Sequence, residues 1–364
     1  EDTMPTLGSD NGLTLADLTG KAYDDPMWDQ LLDQMSFEDM SLLVNLGGWQ
    51  TAQIDSVGKV ATSDCDGPAG VNNFITGTYG TPYPTEVLMA QTWNTDLLYD
   101  LGLAMGQEYA DVNNYGVYGP AMNTHRSAFA GRNFEYYSED GVLAGKLAAA
   151  QVSAMASKGT YNYIKHFALN DQETNRCAFL LTYSNEQAIR EIYLKPFELC
   201  IKNFDGTQIA VMSSFNWIGT VPACANEDTL TTILRNEWGF QGMVITDYDG
   251  SYGYMITDHC VRTGNDLMLG FSSQASNQLT NTDSATLNNA LRTSCKNIMY
   301  TVANSGYYTN ATDDGGMSNM TKLFVTIDVV TVLLVVLCMA LVIVRYCKKH
   351  AKAAEVTPEE KKEE

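Results

Sequence analysis

Positive charge is scarce in this sequence. Its 22 lysine and arginine residues stand against 43 aspartate and glutamate residues, which gives a formal net charge of −21 at pH 7. A surface this acidic repels the phosphates of nucleic acids, so we expect no nucleic-acid partner. Neutral and cationic ligands are compatible with the charge.

Signatures of metal and phosphate binding are also missing. The sequence has only four histidines, which do not cluster, and it contains no Cys-x-x-Cys pair and no His-Glu-x-x-His motif. No glycine-rich phosphate loop leads into a helix. These absences argue against zinc hydrolysis and phosphoryl transfer, and we predict neither a metal nor a cofactor.

The amino-terminal residues lack the basic and apolar regions of a signal peptide, and the chain does not begin with methionine. The carboxyl-terminal region, in contrast, has an apolar run. Residues 323–344 would form a helix of about 33 Å, enough to cross a bilayer. Arg345, Lys348 and Lys349 follow it, which places the tail in the cytoplasm by the positive-inside rule. A buried core helix is the weaker alternative, because the run has no polar face.

These features predict four regions: a domain at 1–306 with a lead-in at 1–57, a stalk at 307–322, a transmembrane helix at 323–344 and a cytoplasmic tail at 345–364. The domain would then lie outside the cytoplasm at the cell membrane. Export requires a signal that these residues do not contain, so we expect the chain to be the carboxyl-terminal portion of a longer protein.

Strand-like and helix-like segments alternate through the domain. This order predicts a parallel sheet of the α/β class, either a (β/α)8-type barrel or a doubly wound sheet. The predicted strands are 59–63, 116–118, 162–167, 207–213, 243–245 and 266–269, and the predicted helices are 27–45, 94–112, 141–157, 185–204, 226–238 and 286–304.

Asp247 follows the apolar strand 243–245, which has the uninterrupted hydrophobic character of a strand buried on both faces. Reacting groups in such sheets lie at the carboxyl ends of the strands. An aspartate that caps the next helix is an equally good interpretation of this segment alone.

Other polar residues follow the remaining strands and favour the reactive interpretation. A barrel would bring all of them to one rim, around one pocket. Acceptors and donors gathered around a carboxylate suit a polyhydroxylated substrate such as a sugar. These residues are Asp66, Arg132, Lys165, His166, the segment from Met212 to Asn216, and Asp247.

Seven blocks in this order resemble glycoside hydrolase family 3 of the β-glucosidase type, over about residues 15–305. The resemblance implies a TIM-like barrel and a retaining mechanism in which Asp247 attacks the anomeric carbon. It also implies that Asp66, Arg132, Lys165 and His166 hold sugar hydroxyls, with Met212 lining their subsite. The blocks are Asp64-Cys-Asp-Gly-Pro-Ala-Gly70, Gly119-Pro-Ala-Met-Asn123, Gly131-Arg-Asn-Phe-Glu135 continuing to Gly141, Lys165-His-Phe-Ala-Leu-Asn170 continuing to Arg176, Arg190-Glu-Ile-Tyr-Leu194 continuing to Glu198, Val211-Met-Ser-Ser-Phe-Asn216 and Gly239-Phe-Gln-Gly242 continuing to Asp247.

The chain departs from the family pattern at two substrate-binding positions. Tyr248 stands where the family usually has tryptophan and keeps a stacking surface, whereas Phe215 stands where the family has tyrosine and loses a hydroxyl. The general acid/base of the family lies on a separate sandwich domain. Residues 12–20 and 27–45 resemble members in which that domain precedes the barrel, so we expect the acid/base upstream. The carboxylates within the chain that could replace it are Glu135, Glu139, Glu173 and Asp249.

The sequence therefore predicts a membrane-anchored, exo-acting retaining β-glucosidase that acts on oligosaccharides or glycosides. Two alternatives remain open. One is a related enzyme with a different glycone, such as xylose, arabinose or N-acetylglucosamine. The other is a non-catalytic surface protein that binds sugars.

Overall fold

The computed structural model describes residues 2–250, 252–271, 278–309 and 319–355. The chain forms two compact units, residues 1–314 and residues 315–364. Residues 356–364 of the predicted tail (345–364) and residues 310–318 of the predicted stalk (307–322) lie outside the described residues.

Five parallel strands form the centre of the first unit, and each main helix follows a strand. The sheet order is β10-β7-β5-β4-β1, extended at one edge by the antiparallel strands β2 and β3. The strands are β1 (Asp64–Asp66), β2 (Asn72–Asn73), β3 (Thr78–Tyr79), β4 (Gly116–Tyr118), β5 (Tyr161–Phe167), β6 (Leu181–Thr182), β7 (Ile209–Ser213), β8 (Trp217–Ile218), β9 (Val221–Pro222) and β10 (Val244–Ile245). Strands β6, β8 and β9 form a separate small sheet.

The helices of this unit are α1 (Met27–Leu32), α2 (Phe37–Asn45), α3 (Glu86–Ala90), α4 (Thr95–Asp111), α5 (Gly141–Ala156), α6 (Glu186–Ala188), α7 (Lys195–Asn203), α8 (Thr257–Thr263), α9 (Ala285–Ala303) and α10 (Gly306–Thr309). Two further helical segments, Ile189–Tyr193 and Asp228–Glu237, have π-helical hydrogen bonding. The second unit contains α11 (Asn319–Glu355).

Backbone hydrogen bonds close the parallel sheet into a ring. Ile245 pairs with Leu267 beyond β10. The Gly47 N–H then donates to the Met268 carbonyl at 3.0 Å, and the Asp64 N–H donates to the Trp49 carbonyl at 2.9 Å. The ring is thus a barrel and not the doubly wound alternative. Among the described residues the ring has seven positions, which are β1, β4, β5, β7, β10 and the segments 47–49 and 267–270. The two segments pair through backbone hydrogen bonds without forming regular strands.

Side chains of β5 alternate between the two faces of the barrel wall, as in any strand. Tyr161 and Tyr163 point into the interior cluster with Met212 and Ile245. Ile164 points outward into the layer that the wall forms with the helices, together with hydrophobic residues of α5 and α7. Burial on both sides explains why these strands are apolar without a polar face.

Several strands and helices lie where the sequence predicts them. Strand 116–118 is confirmed as β4, and α4 begins after Asn94, whose side chain accepts hydrogen bonds from the backbone of Asp96 and Leu97. Helix 141–157 is confirmed as α5 within one residue. Capping side chains and apolar periodicity are local signals, which is why these elements could be located from the sequence.

The prediction of a strand at 59–63 was wrong. The strand lies later, at Asp64–Asp66, because the Lys59 amine turns inward and donates to the Thr51 hydroxyl and to the Ala52 and Val60 carbonyls. These hydrogen bonds to the buried Lys59 amine hold residues 59–63 away from the sheet.

Two predicted long helices are also divided. Helix 27–45 breaks before Ser36, whose hydroxyl accepts from the Asp39 N–H and starts α2. Helix 185–204 becomes α6, a π-helical turn and α7, which restarts near Pro196. Proline has no N–H to continue the preceding ladder of hydrogen bonds.

The segment Val325–His350 within α11 is long and apolar enough to cross a membrane, by its length and composition only. It contains the larger part of the predicted transmembrane helix, 323–344. Before it, Tyr307 and Tyr308 of α10 hydrogen-bond to Ser63 and Val60 of the first unit. Residues 307–309, the start of the predicted stalk, therefore belong to the first unit.

Candidate active site

Asp247 lies just past the carboxyl end of β10 and is almost buried, with 13% of its side chain exposed. Its Oδ1 accepts a 2.7 Å hydrogen bond from the Tyr248 N–H. Its Oδ2 has no hydrogen-bond partner among the described residues. Burial raises the pKa of this carboxyl, and the nearby Arg176 guanidinium opposes the rise. One carboxylate oxygen is therefore held by the backbone, and the other is enclosed by protein without a hydrogen bond from any described residue.

Of the described cations, Arg176 lies closest to the unpaired oxygen of Asp247, with 3.6 Å between its Nη1 and Asp247 Oδ2. Its Nε forms a 3.0 Å ion pair with Glu173, and its guanidinium lies 4.5 Å from the centroid of the Phe215 ring. Arg176 was not predicted as a site residue, although it ends the block that begins at Lys165. No local pattern marks a loop arginine nine residues after the end of β5 as part of a pocket.

His166 lies beside Asp247 as a neutral ring. Its Nε2 is 3.7 Å from Asp247 Oδ2, and its Nδ1 is 3.5 Å from the Tyr136 hydroxyl. Burial lowers the pKa of the imidazole well below its usual value, and the positive charges of Arg132 and Lys165 lower it further. A neutral imidazole can donate one hydrogen bond to a ligand hydroxyl without adding charge to the pocket.

Asn123 fixes the position of His166 through the backbone. Its side-chain oxygen accepts a 2.7 Å hydrogen bond from the His166 N–H, and its amide group donates to the His166 carbonyl at 3.0 Å. Asn123 is completely surrounded by protein and ends the Gly119–Asn123 block. Asn123 therefore holds the predicted site residue His166 in place, although Asn123 was not itself predicted as a site residue.

Arg132 and Lys165 meet at Glu135. Arg132 donates to Glu135 at 2.6 Å, and the Lys165 amine lies 3.4 Å from the other oxygen of that carboxylate. Although burial acts in the opposite direction, Lys165 and Arg132 together hold the pKa of Glu135 below its ordinary value. Arg132 also lies 3.9 Å from Glu173, so the ion pairs run without a gap from Lys165 to Arg176 and Asp247.

Charge in this network is balanced. Three cations, Arg132, Lys165 and Arg176, are paired with three carboxylates, which are Glu135, Glu173 and Asp247. The network can therefore be buried without a net charge, which lowers its desolvation cost. It presents N–H donors and carboxylate acceptors side by side, an arrangement that suits a neutral ligand rich in hydroxyl groups.

Asp66 connects to the pocket through an aromatic residue. The Trp49 indole N–H donates to Asp66 Oδ2 at 3.2 Å, and the Trp49 ring lies 5.9 Å from the ring of Tyr248. The Phe271 ring stacks on the Trp49 ring, with 5.8 Å between the ring centroids. Trp49 is a second site residue that was not predicted, because it lies in an irregular segment between α2 and β1.

The two remaining predicted residues form walls. Met212 is nearly buried and pairs with Lys165 on one side and Ile245 on the other, so it lies in the same layer of the barrel as both. Phe215 is nearly buried under Arg176. The structure thus joins Asp247, His166, Arg132 and Lys165 in one network. Asp66 and Tyr248 are linked to each other through Trp49.

The four alternative carboxylates have different surroundings. Glu135 and Glu173 are both bound to cations, and Glu139 is exposed. Asp249 is buried, and its backbone N–H donates to Leu269. Across the described part of the chain, no group of three or more His, Cys, Asp or Glu side chains is arranged to hold a metal ion.

A comparison with protein families matches residues 51–274, more than half of the chain, to the family described as "Glycosyl hydrolase family 3 N terminal domain". Among curated proteins, the chain is 40% identical to beta-glucosidase A of Butyrivibrio fibrisolvens over 250 residues, which cover 66% of this chain and 29% of that protein. It is 36% identical to beta-glucosidase B of Emericella nidulans over 227 residues, 61% of this chain and 26% of that protein.

Solved structures give the same result. Beta-glucosidase 3B of Thermotoga neapolitana in complex with alpha-D-glucose superposes with a TM-score of 0.69 at 31% identity, covering 81% of this chain and 45% of that one. A beta-glucosidase of Paenibacillus barengoltzii gives a TM-score of 0.72 at 30% identity, covering 85% and 36%. The chain spans less than a third of the length of the curated relatives named above.

Proposed function

This chain belongs to glycosyl hydrolase family 3, and on that premise we propose that it carries the nucleophile and the sugar subsite of a retaining, exo-acting β-glucosidase. The substrate class would be oligosaccharides or glycosides with a terminal β-glucosyl residue. The observation that carries the proposal is Asp247, a nearly buried carboxylate at a strand end with one oxygen free of hydrogen bonds among the described residues.

In the proposed first step, Asp247 Oδ2 forms a bond to the anomeric carbon while the bond from that carbon to the leaving oxygen breaks. The leaving oxygen takes a proton from a general acid. In the second step water attacks the same carbon, its proton returns to that group, and the carboxylate is released. Arg176 supports this cycle because it stabilises the ionised, attacking form of Asp247.

The remaining network would hold the sugar. Lys165 and Arg132 supply donors, Glu135 and Asp66 supply acceptors, and neutral His166 supplies one further donor beside the nucleophile. Hydrogen bonds to ring hydroxyls strengthen as the sugar distorts toward the oxocarbenium-like transition state. These residues are accordingly proposed to contribute more to turnover than to ground-state binding.

The general acid/base is proposed to come from a separate domain of a longer protein. A retaining enzyme needs its second carboxyl about 5–5.5 Å from the first and protonated before the reaction. Glu135 is poorly suited to that role, because Lys165 and Arg132 hold the pKa of its carboxyl below the ordinary value despite burial. Glu173 is already engaged in ion pairs with Arg176 and Arg132.

The proposed location is the cell membrane, with the first unit outside the cytoplasm. The support is the apolar segment Val325–His350 and the basic residues Arg345, Lys348 and Lys349 near its end. The glycone is proposed to be glucose, because the relatives described above are named beta-glucosidases. Phe215 and Tyr248 are the positions at which another glycone, such as xylose, would be accommodated.

A slow 2-deoxy-2-fluoro glucoside tests the nucleophile directly. The reagent should form a stable ester on the peptide that contains Asp247, and Asp247→Asn should abolish both the label and turnover. Asp249→Asn is the matched control, since it alters a second buried aspartate two residues away. Labelling of any other carboxylate would overturn the assignment, and reversible binding of glucose without labelling would favour the non-catalytic sugar-binding alternative.

A further inference from the structure

The carboxyl-terminal end of α11 carries a concentration of positive charge that the proposed glucosidase mechanism does not use. Four of the eight residues at 345–352 are lysine or arginine, whereas the whole chain has 22 such residues in 364 and a net charge of −21. The helix continues beyond the apolar segment Val325–His350 to Glu355, so these eight residues are helical. Their charge therefore has a defined arrangement.

The helix places this charge on one face. Lys348 and Lys349 follow Arg345 by three and four residues, a spacing that puts side chains on the same side of an α-helix. Lys352 takes the next position of the same spacing. Arg345, Lys348 and Lys349 are exposed, and no aspartate or glutamate lies within four residues of any of them along the sequence. Neighbouring turns of the helix therefore supply no counter-charge to this basic face, which we define as these three residues.

The basic face begins where the apolar segment has reached the thickness of a bilayer. Residues 325–344 span about 30 Å as a helix, which equals the thickness of the hydrocarbon core. The rise from Arg345 to Lys349 adds about 6 Å, which is about the depth of one polar headgroup layer. Tyr346, which is 64% exposed, lies within this interval, where membrane proteins are enriched in tyrosine. With the apolar segment in a bilayer, the three cations would lie among lipid headgroups.

This position restricts the class of partner. Cations at headgroup depth attract lipids of net negative charge, whereas zwitterionic lipids offer them no excess of negative charge. The preceding turn, residues 341–344, is apolar and exposed, so acyl chains can contact it while a headgroup contacts the basic face. A soluble anion or an acidic peptide would use the basic face and leave the apolar turn without a partner. An anionic phospholipid uses both.

We propose that Arg345, Lys348 and Lys349 form a binding surface for anionic phospholipids, such as phosphatidylserine, on the carboxyl-terminal side of the membrane. The inference rests on the membrane location proposed above and is independent of the glucosidase chemistry. The surface would retain the protein in membrane regions rich in anionic lipid, which the net charge of the whole chain would otherwise disfavour.

The test is native mass spectrometry of the full chain in detergent, titrated with dioleoyl phosphatidylserine and with dioleoyl phosphatidylcholine. One basic residue near an anionic lipid surface raises affinity by about fivefold, so phosphatidylserine should bind at least about fivefold more tightly than phosphatidylcholine. Combining Arg345→Gln, Lys348→Gln and Lys349→Gln should reduce this preference to less than about twofold. Because detergent replaces the bilayer, the result does not depend on the orientation in which a variant inserts.

Two control variants separate the basic face from the net charge of the chain. Combining Lys322→Gln, Lys361→Gln and Lys362→Gln removes the same amount of charge from other positions and should leave the lipid preference of the parent unchanged. Combining Lys348→Arg with Lys349→Arg keeps the charge of the basic face and should also leave the preference unchanged.

The outcomes separate this proposal from those above. Equal binding of the two lipids by the parent, a preference that survives the glutamine variant of the basic face, or a loss that the distant lysine variant shares would overturn the lipid surface and leave the glucosidase proposal unaffected. Tighter binding of an octaglutamate peptide than of phosphatidylserine would also overturn it, because the face would then suit an acidic segment of another protein. Flotation of the full chain with phosphatidylcholine vesicles tests the membrane location separately, and a chain that does not float would overturn both the location and the lipid surface.

Discussion

Glu86 is a carboxyl group at the start of α3 that is completely inaccessible to solvent. Neither of its side-chain oxygens has a hydrogen-bond partner among the described residues. Burial raises the pKa of this carboxyl from 4.5 to about 8, with Glu135 raising it further and Lys165 opposing. Glu86 should therefore be protonated in the folded protein across most of the range in which an exposed glutamate is ionised.

The effect on stability has a definite sign. Between pH 4.5 and about 8 the folded chain holds a proton at Glu86 that the unfolded chain has lost. The contribution of Glu86 to stability is therefore greatest below pH 4.5 and is lost as pH rises through the folded-state pKa of about 8. Each unit of pKa shift corresponds to about 1.4 kcal/mol, so the whole loss is about 5 kcal/mol.

Glu86→Gln should remove this dependence, because glutamine has nearly the same shape and does not ionise. The relevant quantity is the free energy of unfolding of the variant minus that of the parent at the same pH. This difference should rise by about 1.4 kcal/mol per pH unit between pH 5 and pH 8. Urea unfolding at each pH, followed by tryptophan fluorescence, measures it. All five tryptophans precede residue 239, so the signal reports the first unit.

Glu38→Gln, at an exposed position in the first turn of α2, is the control and should give a curve parallel to the parent. A Glu86→Gln curve that is also parallel to the parent would show that Glu86 is ionised in the folded protein. It would then have a partner that the described structure does not provide, and the account of its burial would be wrong.

Three further predictions concern the site and the carboxyl-terminal helix. Arg176→Gln should move the acid limb of the pH profile of kcat/KM for a dinitrophenyl glucoside to higher pH, because Arg176 is the main group that lowers the pKa of Asp247. An unchanged acid limb would exclude this role of Arg176. Trp49→Phe should reduce kcat/KM by about tenfold or more, because it removes one hydrogen bond to the Asp66 carboxylate. Tyr79→Phe is the control, and an unchanged kcat/KM in Trp49→Phe would contradict the prediction. Deleting residues 322–364 should leave a soluble chain with an unchanged melting temperature, and aggregation would show that the first unit depends on α11.

The sequence determined the elements whose signals are local. Asn94 and Asp140 cap α4 and α5 with their own side chains, and the apolar character of β4 and β5 follows from burial on both faces. Asp247 at the end of an apolar strand, and His166 at the end of another, could be located for the same reason. Each of these features depends on residues within a few positions of one another, so the chain alone is enough to predict them.

Only the tertiary structure decided which groups meet and what charge they carry. Trp49 reaches Asp66, and Arg176 reaches Asp247 across 71 residues of sequence, because barrel closure brings distant loops to one rim. The neutral state of His166 and the raised pKa of Asp247 arise from burial among several strands, a property that no single segment possesses. Residue types can be read from the sequence, but desolvation and pairing are set by long-range packing, and these determine the chemistry of the site.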